Sequence, residues 1–332
     1  MTSLAKPIYR VVDKRKGNLI APSALRDFVL DEAPLPDPSL EEVVFTPYAL
    51  DLKRRAVVEV GMPRIPVAQP RAFFYLDQYE EARAIRLSPV AAYADVISTS
   101  ALAPRRIFVF SIGRAGSTLV SQILGAAGIA ALSEPDIFLG LGQRRQLVAV
   151  GLDRDGQDRL YCACIASLES ALGPPATLAV KFRAQSSNQF HMRRVLRLFP
   201  TAHYVFLFRA AEAWSLSFTR KFGFQHQTLK WLMTENLKAA DMARNAGVDV
   251  RILNYSDILH DPTRLLQGLV EDPKEVDLSP VLASDSQHGL FTEIHDSNNM
   301  KVVDASSEHE FFMKWWRSEK PKELLDRLGL DL

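Results

Sequence analysis

From Arg106 onward the chain alternates short apolar runs with stretches of helical spacing. Ile107–Phe110, Leu178–Phe182, Tyr204–Phe208 and Val250–Tyr255 have the length and the β-branched and aromatic content of strands buried on both faces. Ser117–Gly128, Gln189–Leu198 and Thr228–Asn245 separate them with helical patterns. In the last, Leu229, Leu232, Leu237, Ala240 and Met242 scatter over more than one face, so its buried side is poorly defined. Alternation of this kind predicts an α/β fold, a doubly wound three-layer sandwich around a central parallel sheet. Ligands of such sheets sit at the carboxyl ends of the strands, so the residues following each strand are the ones to question.

Residues 1–103 are patterned differently. Pro34, Pro36, Pro38, Pro47, Pro63, Pro66 and Pro70 break up short apolar segments and exclude long helices across them. Glu80–Arg86 and Pro89–Ile97 are expected to be helical, the second with Val90, Tyr93, Ala94 and Ile97 on one stripe. The segment is expected to be an N-terminal extension packed on the main domain, or a small acceptor-recognition or dimerising module; it carries no recognisable chemistry, and residues 104–332 form the main α/β domain.

The chemistry concentrates after the first of the four strands. Ile107–Phe110 closes at Ser111, a tight loop runs Ile112-Gly113-Arg114-Ala115-Gly116, and Ser117-Thr118 opens a helix. A strand, a glycine-bearing loop and a helix N-terminus form an anion site, because backbone N–H groups and the helix dipole both point at it. Arg114 adds a cation whose fork geometry suits phosphate or sulfate. The nucleotide-hydrolysing pattern G-x-x-x-x-G-K-[ST] is not met: Ser111 stands at the first glycine, and Ser117 follows Gly116 where the lysine belongs.

Gly113-Arg114-Ala115-Gly116-Ser117-Thr118 resembles the 5′-phosphosulfate loop of the sulfotransferases, commonly P-[KR]-S-G-[ST]-T. Arg209, ending a strand, and Ser217, eight residues later, match the pair that in that family holds the 3′-phosphate. Asn254-Tyr255-Ser256-Asp257-Ile258-Leu259-His260-Asp261-Pro262 follows a third family segment, with Ser256 in place of a glutamate, and puts Tyr255 near the adenine. The resemblance covers roughly residues 105–265, and the pieces on either side are expected to form much of the acceptor pocket. It implies a fold like that of the P-loop nucleoside-triphosphate hydrolases, 3′-phosphoadenosine 5′-phosphosulfate as donor, and in-line sulfuryl transfer to a hydroxyl on a carbohydrate or small molecule. The implied cofactor-binding residues are Gly113, Arg114, Ala115, Gly116, Ser117, Thr118, Arg209, Ser217 and Tyr255.

The base is read from a departure. Where members acting on small molecules have K-T-H, this chain has Lys181-Phe182-Arg183; Lys181 matches the family lysine, and Arg183 cannot act as a base at neutral pH. Glu134, 20 residues beyond Arg114, matches the glutamate used by branches acting on carbohydrate or protein acceptors. Glu134, Arg114 and Lys181 are therefore the candidate catalytic residues, with Asp136 a lesser carboxylate, and the acceptor tilts toward a carbohydrate or other alcohol over a phenol. The family's R-K-G segment is absent; the polar run His295–Lys301 is a candidate replacement. Trp214, Phe312, Trp315 and Trp316 are expected in the core, and Ser186-Ser187-Asn188 is expected to cap the next helix. Asp257 is expected to cap or pair structurally, His191 to be exposed, and His203 to lie at the wrong strand end. His226 is a candidate for lining the acceptor pocket.

Composition narrows the class further. Forty basic against thirty-nine acidic residues leave a formal charge of +1, which gives no electrostatic case for a nucleic-acid or membrane partner. Cys162 and Cys164 fit neither a disulfide framework nor a zinc site, and no apolar run approaches the roughly 18 residues of a membrane span. A cytoplasmic enzyme without a metal is expected. The rival readings are a kinase of similar fold, which lacks its loop lysine here, and a phosphonucleotide-binding protein without activity.

Overall fold

The computed structural model describes residues 7–34, 43–64, 73–95, 105–173, 176–222, 225–283 and 305–332. Five strands, β1 (Ile8–Lys14), β2 (Phe28–Leu30), β3 (Val43–Asp51), β4 (Ala56–Pro63) and β5 (Ala84–Pro89), form an antiparallel sheet in the order β2-β1-β5-β4-β3. Helix α1 (Phe74–Glu80) lies between β4 and β5, and α2 (Val90–Asp95) follows β5. The prolines do exclude long helices, but the segment is a sheet. Pro47 is tolerated because β3 is an edge strand with a bulge between Pro47 and Ala49. Helix is found at Val90–Asp95 as expected, whereas the helix expected over Glu80–Arg86 is not formed. There α1 ends and β5 begins, because β5 is the central strand that pairs with both β1 and β4.

The second sheet is parallel, in the order β10-β9-β6-β8-β7: β6 (Arg105–Ser111), β7 (Ala130–Ser133), β8 (Thr177–Lys181), β9 (His203–Phe208) and β10 (Val250–Asn254). The four expected strands are all present. The fifth, β7, is four residues of Ala-Ala-Leu-Ser, too short and too poor in β-branched residues to stand out. Helix α3 (Ser117–Ala126) joins β6 to β7; α4 (Ile137–Leu141), α5 (Arg144–Ala149) and α6 (Arg154–Ala171) lead to β8. Helix α7 (Gln189–Leu198) joins β8 to β9, and α8 (Ala211–Phe222) and α9 (His226–Asn245) lead to β10. The chain closes with α10 (Tyr255–His260), α11 (Thr263–Leu266), α12 (Ser279–Ala283), α13 (Ala305–Glu319) and α14 (Lys322–Leu328).

Right-handed crossovers put α3 on one face of this sheet and α6, α7 and α9 on the other, where α6 touches α7 and α7 touches α9. The result is the three-layer α/β architecture. Phe108 and Phe110 of β6 point into the second layer, against Phe182, Phe199 and Phe206. On α9 the buried side is one stripe, Leu229, Leu232, Met233, Asn236, Leu237, Ala240 and Ala243. The sequence obscured it because Asn236 occupies a core position, its amide turned back to the Leu232 carbonyl at 2.8 Å. The antiparallel sheet packs through β3 and α2 onto α6. That contact brings N-terminal side chains to the carboxyl end of the parallel sheet.

Candidate functional site

Strand β6, in the middle of the parallel sheet, delivers the loop that organises the site. Gly113, Arg114 and Gly116 all have left-handed backbones (φ 72°, 51° and 84°), so the loop curls its amides toward one concavity. The two glycines are required by space as well. A Cβ at Gly113 would lie 2.9 Å from Phe218 Cε2, and one at Gly116 would lie 2.2 Å from Tyr255 Cδ2. Trp214, buried as expected, also donates its indole N–H to the Gly113 carbonyl at 2.8 Å and pins the loop to α8. Gly116 begins α3 without a side-chain cap, so the first-turn N–H groups are left for another acceptor. Ser117 and Thr118 occupy that turn and Ala115 is buried beneath it.

Three more of the expected residues converge on Arg114. Its Nε donates to Ser217 Oγ at 3.2 Å, and its carbonyl accepts from Arg209 Nη1 at 3.3 Å. The Arg209 guanidinium in turn lies 5.1 Å from the centre of the Tyr255 ring. Lys221, a turn beyond Ser217 on α8, joins the same field. Burial and then Arg209 hold Arg114 below the ordinary arginine range, and burial and then Arg114 lower Lys221. Cations gathered so closely repel one another, and an anion among them would relieve that repulsion.

The carboxylate side is built from β7 and β8. Glu134 follows β7 with φ 60°, its N–H donating to the Lys181 carbonyl at 2.7 Å. Its carboxylate accepts from Lys181 Nζ and lies 3.4 Å from Arg183 Nε. Asp136 is wholly buried behind it, 2.6 Å from Arg183 Nε and accepting from the Ser23 N–H and hydroxyl at 2.9 and 2.8 Å. Burial pushes Asp136 upward more than the Arg183 and Lys16 cations lower it. For Arg183 the balance is reversed: burial lowers it, but Asp136, Tyr75 and Glu134 together hold it above its ordinary value. The chain of contacts runs on through Lys16 Nζ, 3.2 Å from Ser23 Oγ and 3.3 Å from Asp27, to Tyr48, which donates to Asp27 at 2.8 Å. Asp136 thus clamps the N-terminal sheet to the site.

Both sides open on one cavity. The loop residues Gly113, Arg114, Gly116, Ser117 and Thr118 form one wall, and Glu134, Lys181 and Arg183 line it with charge. Ile20, in the turn after β1, and Phe73 and Tyr75, at the start of α1, close it from the N-terminal segment, and Phe218 and Phe222 close it from α8. Sequence reasoning missed all five of these apolar residues and the part played by Arg183. The N-terminal segment carries no motif of its own but supplies a cavity wall, in line with the expectation that it helps to form the pocket. The pair of basic residues at the end of a buried strand, Lys181 and Arg183, was the available signal that carboxylates had to lie nearby.

The remaining expectations divide. His191 is not exposed but fully buried among Phe110, Tyr161 and Phe182, because the face of α7 that carries it turns inward. Its Nδ1 lies 2.7 Å from the Ser186 carbonyl, which can only accept, so Nδ1 carries the proton and Nε2 accepts from Tyr161 Oη at 2.8 Å. Asn188 caps α7 as expected, accepting from the His191 N–H. His203 sits at the start of β9, away from the site, beside Asp249. His226 is tied to Glu308 of α13 at 2.8 Å. Asp257 lies in the first turn of α10, 3.7 Å from Arg264, and does not cap it. Phe312 and Trp316 are buried and Trp315 is partly so, while His295–Lys301 lies outside the described residues. Among the described residues no helix is long and apolar enough to cross a membrane, and no cluster of three or more His, Cys, Asp or Glu could hold a metal.

No protein-family model matches the sequence, and no curated protein matches it. Solved structures similar to it over 70% of its length include a sulfotransferase from Mycobacterium avium, at 12% identity, TM-score 0.42 and 79% of that chain. The sulfotransferase domain of a Synechococcus olefin synthase aligns at 19% identity and TM-score 0.41 over 98% of its length. The sulfotransferase domain from the curacin biosynthetic pathway aligns at 17% identity and TM-score 0.40 over 100% of its length.

Proposed function

We propose that the protein is a sulfotransferase that takes a sulfuryl group from 3′-phosphoadenosine 5′-phosphosulfate to a hydroxyl acceptor, a small molecule or a carbohydrate. The observation that carries this is the meeting of two chemistries at the carboxyl end of one parallel sheet. A left-handed loop at an uncapped helix N-terminus, backed by Arg114, Arg209 and Ser217, faces the same cavity as a lysine-paired carboxylate, Glu134. The residues fit the donor. The left-handed turns at Gly113 and Gly116 aim backbone amides into the site, and the Arg209 cation presses on Arg114.

Arg114 and the α3 amides, with Ser117 and Thr118, hold the phosphosulfate, and Arg209 with Ser217 holds the 3′-phosphate. Tyr255 forms the adenine side. The donor supplies the sulfuryl group: the acceptor oxygen bonds to sulfur as the sulfur–bridging-oxygen bond breaks. The electron pair leaves with adenosine 3′,5′-bisphosphate and the acceptor's proton goes to Glu134. Lys181 orients Glu134 until that proton arrives. Neutralising Glu134 weakens its hold on the lysine, whose ammonium then serves the leaving oxygen together with Arg114. Positive side chains and helix amides do the work that a metal does in phosphoryl transfer.

Residues 1–103 act in this proposal as an accessory module that closes the acceptor side. The free thiols Cys162 and Cys164 support a cytoplasmic setting. Glu134→Gln is the test. It should retain bisphosphate binding and lose turnover by roughly 100- to 10,000-fold, the range for a general base. Turnover within a few-fold of the parent would remove Glu134 from the mechanism, and absence of turnover in the parent with every acceptor would favour a phosphonucleotide-binding protein.

A further inference from the structure

We infer that the acceptor is an apolar alcohol or phenol presenting one reactive hydroxyl, gripped between Phe73 and Tyr75 of the N-terminal segment and Phe218 and Phe222 of α8. The inference rests on the sulfuryl-transfer reading above and names the substrate class of the same site. Two observations lead to it. The first is the composition of the walls: away from the phosphosulfate loop and the charged trio Glu134, Lys181 and Arg183, the cavity is bounded by Ile20, four aromatic rings, Ala184 and a single amide, Gln185. Such a surface rewards a flat or branched apolar body and offers a sugar ring little to bond.

The second is the state of the charged groups beside them. Lys181 is engaged by Glu134, and Arg183 is engaged by Asp136, by Glu134 and, through Nη1, by the Ile20 carbonyl at 3.1 Å. The flat face of Arg183 is also covered, its central carbon 4.0 Å from the middle of the Tyr75 ring. Arg183 Nη2 is buried without a hydrogen-bond partner among the described atoms, whereas Nε, which also lacks one, is held in the ion pair with Asp136. Beside the Gln185 amide, that leaves a donor for one oxygen and the Glu134 carboxylate for one proton. It is the complement of a single hydroxyl, not of a polyol, whose other hydroxyls would be buried unpaired.

Tyr75 is held at its place from both sides, by Arg183 beneath it and by Phe73, 5.8 Å away between ring centres. Phe73, Tyr75 and Leu76 form a small cluster of their own with Leu19 and Ile20, separate from the main core. The acceptor wall is therefore a distinct packing unit contributed by the N-terminal segment. In the reaction the acceptor's oxygen forms the new bond to sulfur, its proton passes to Glu134, and the leaving oxygen keeps the electron pair as the bisphosphate.

The test uses the full chain. Adenosine 3′,5′-bisphosphate binding is measured by calorimetry, and release of that bisphosphate from the donor is then followed with β-naphthol, decanol, methyl N-acetylglucosaminide and a chondroitin tetrasaccharide. The expected result is bisphosphate binding together with a kcat/KM for β-naphthol or decanol roughly 100-fold or more above either carbohydrate. Phe222→Ser, at a partly exposed position, should raise KM for the preferred acceptor roughly tenfold while leaving bisphosphate affinity unchanged. Bisphosphate binding with carbohydrate preferred, or an unchanged KM in Phe222→Ser, overturns the inference and leaves the sulfotransferase reading standing. No bisphosphate binding overturns both.

Discussion

The sharpest structural prediction concerns Gly116 and Tyr255, which the chain brings into contact from opposite ends of the parallel-sheet region. In Gly116→Ala the new methyl group would sit 2.2 and 2.3 Å from two carbons of the Tyr255 ring, well inside contact distance, on a backbone at φ 84°. Two costs add. The left-handed conformation costs a residue with a Cβ about 1–2 kcal/mol, and forcing the ring aside costs about 1–3 kcal/mol more. Together they predict a loss of roughly 2–5 kcal/mol. Tyr255→Ala removes the obstacle, so in that background Gly116→Ala should cost only the backbone share, about 1–2 kcal/mol. Urea unfolding of the two single variants and the double variant completes the cycle, with an expected coupling of about 1–3 kcal/mol. A coupling below roughly 0.5 kcal/mol would mean that the two residues act independently and that the loop is not held as described. Bisphosphate binding should suffer in both single variants, because each disturbs the Tyr255 ring that lies beside Arg209.

Two further predictions test the buried polar groups. Burial, set against the hydrogen bond to the Ser186 carbonyl, pushes the His191 imidazole down to about 4 from an ordinary 6.5. The unfolded chain therefore takes up a proton in a window where the folded chain does not, and stability falls as pH drops from about 6.5 to about 4. The total is about 3 kcal/mol at roughly 1.4 kcal/mol per unit. Urea titrations at pH 7 and 5 should show about 2 kcal/mol of this loss, since pH 5 crosses only part of the window, and His191→Gln, which can still donate to Ser186 and accept from Tyr161, should flatten it; an unaltered slope would contradict the assignment. Asp136→Asn leaves the Arg183 cation buried without its main counter-charge and should cost about 3–5 kcal/mol in the same assay. A loss under roughly 1 kcal/mol would show that the network from Ser23 to Glu134 is not what joins the N-terminal sheet to the site.

What could be read from the sequence follows the range of the interactions involved. The β6 loop, the α3 start, and the Arg209–Ser217 pair are local patterns of strand, turn and helix, and their convergence follows from the rule that ligands meet at strand carboxyl ends. The antiparallel sheet was invisible because its pairings are made between distant short segments. Strand β5, for instance, gains its identity from β1 and β4 and not from its own composition. His191 was misplaced because Arg193 and Arg194 suggested an exposed helix face, whereas Arg194 is itself buried, donating to the Leu141 carbonyl and to Gln157. The acceptor wall escaped notice for a related reason. Phe73 and Tyr75 look like ordinary core residues until a second segment, at Ile20, is folded against them.

The central claim is that the β6 loop and Arg209 form a site for a 3′-phosphorylated adenosine nucleotide. Calorimetric titration of the protein and of Arg209→Ala with adenosine 3′,5′-bisphosphate, and with ATP plus Mg²⁺, tests it directly. The account predicts selective binding of the bisphosphate, weakened roughly 10- to 150-fold in Arg209→Ala, as expected for losing a charged hydrogen-bond donor worth about 1.5–3 kcal/mol. Binding of ATP alone, of neither nucleotide, or of the bisphosphate with equal affinity in the variant would contradict it.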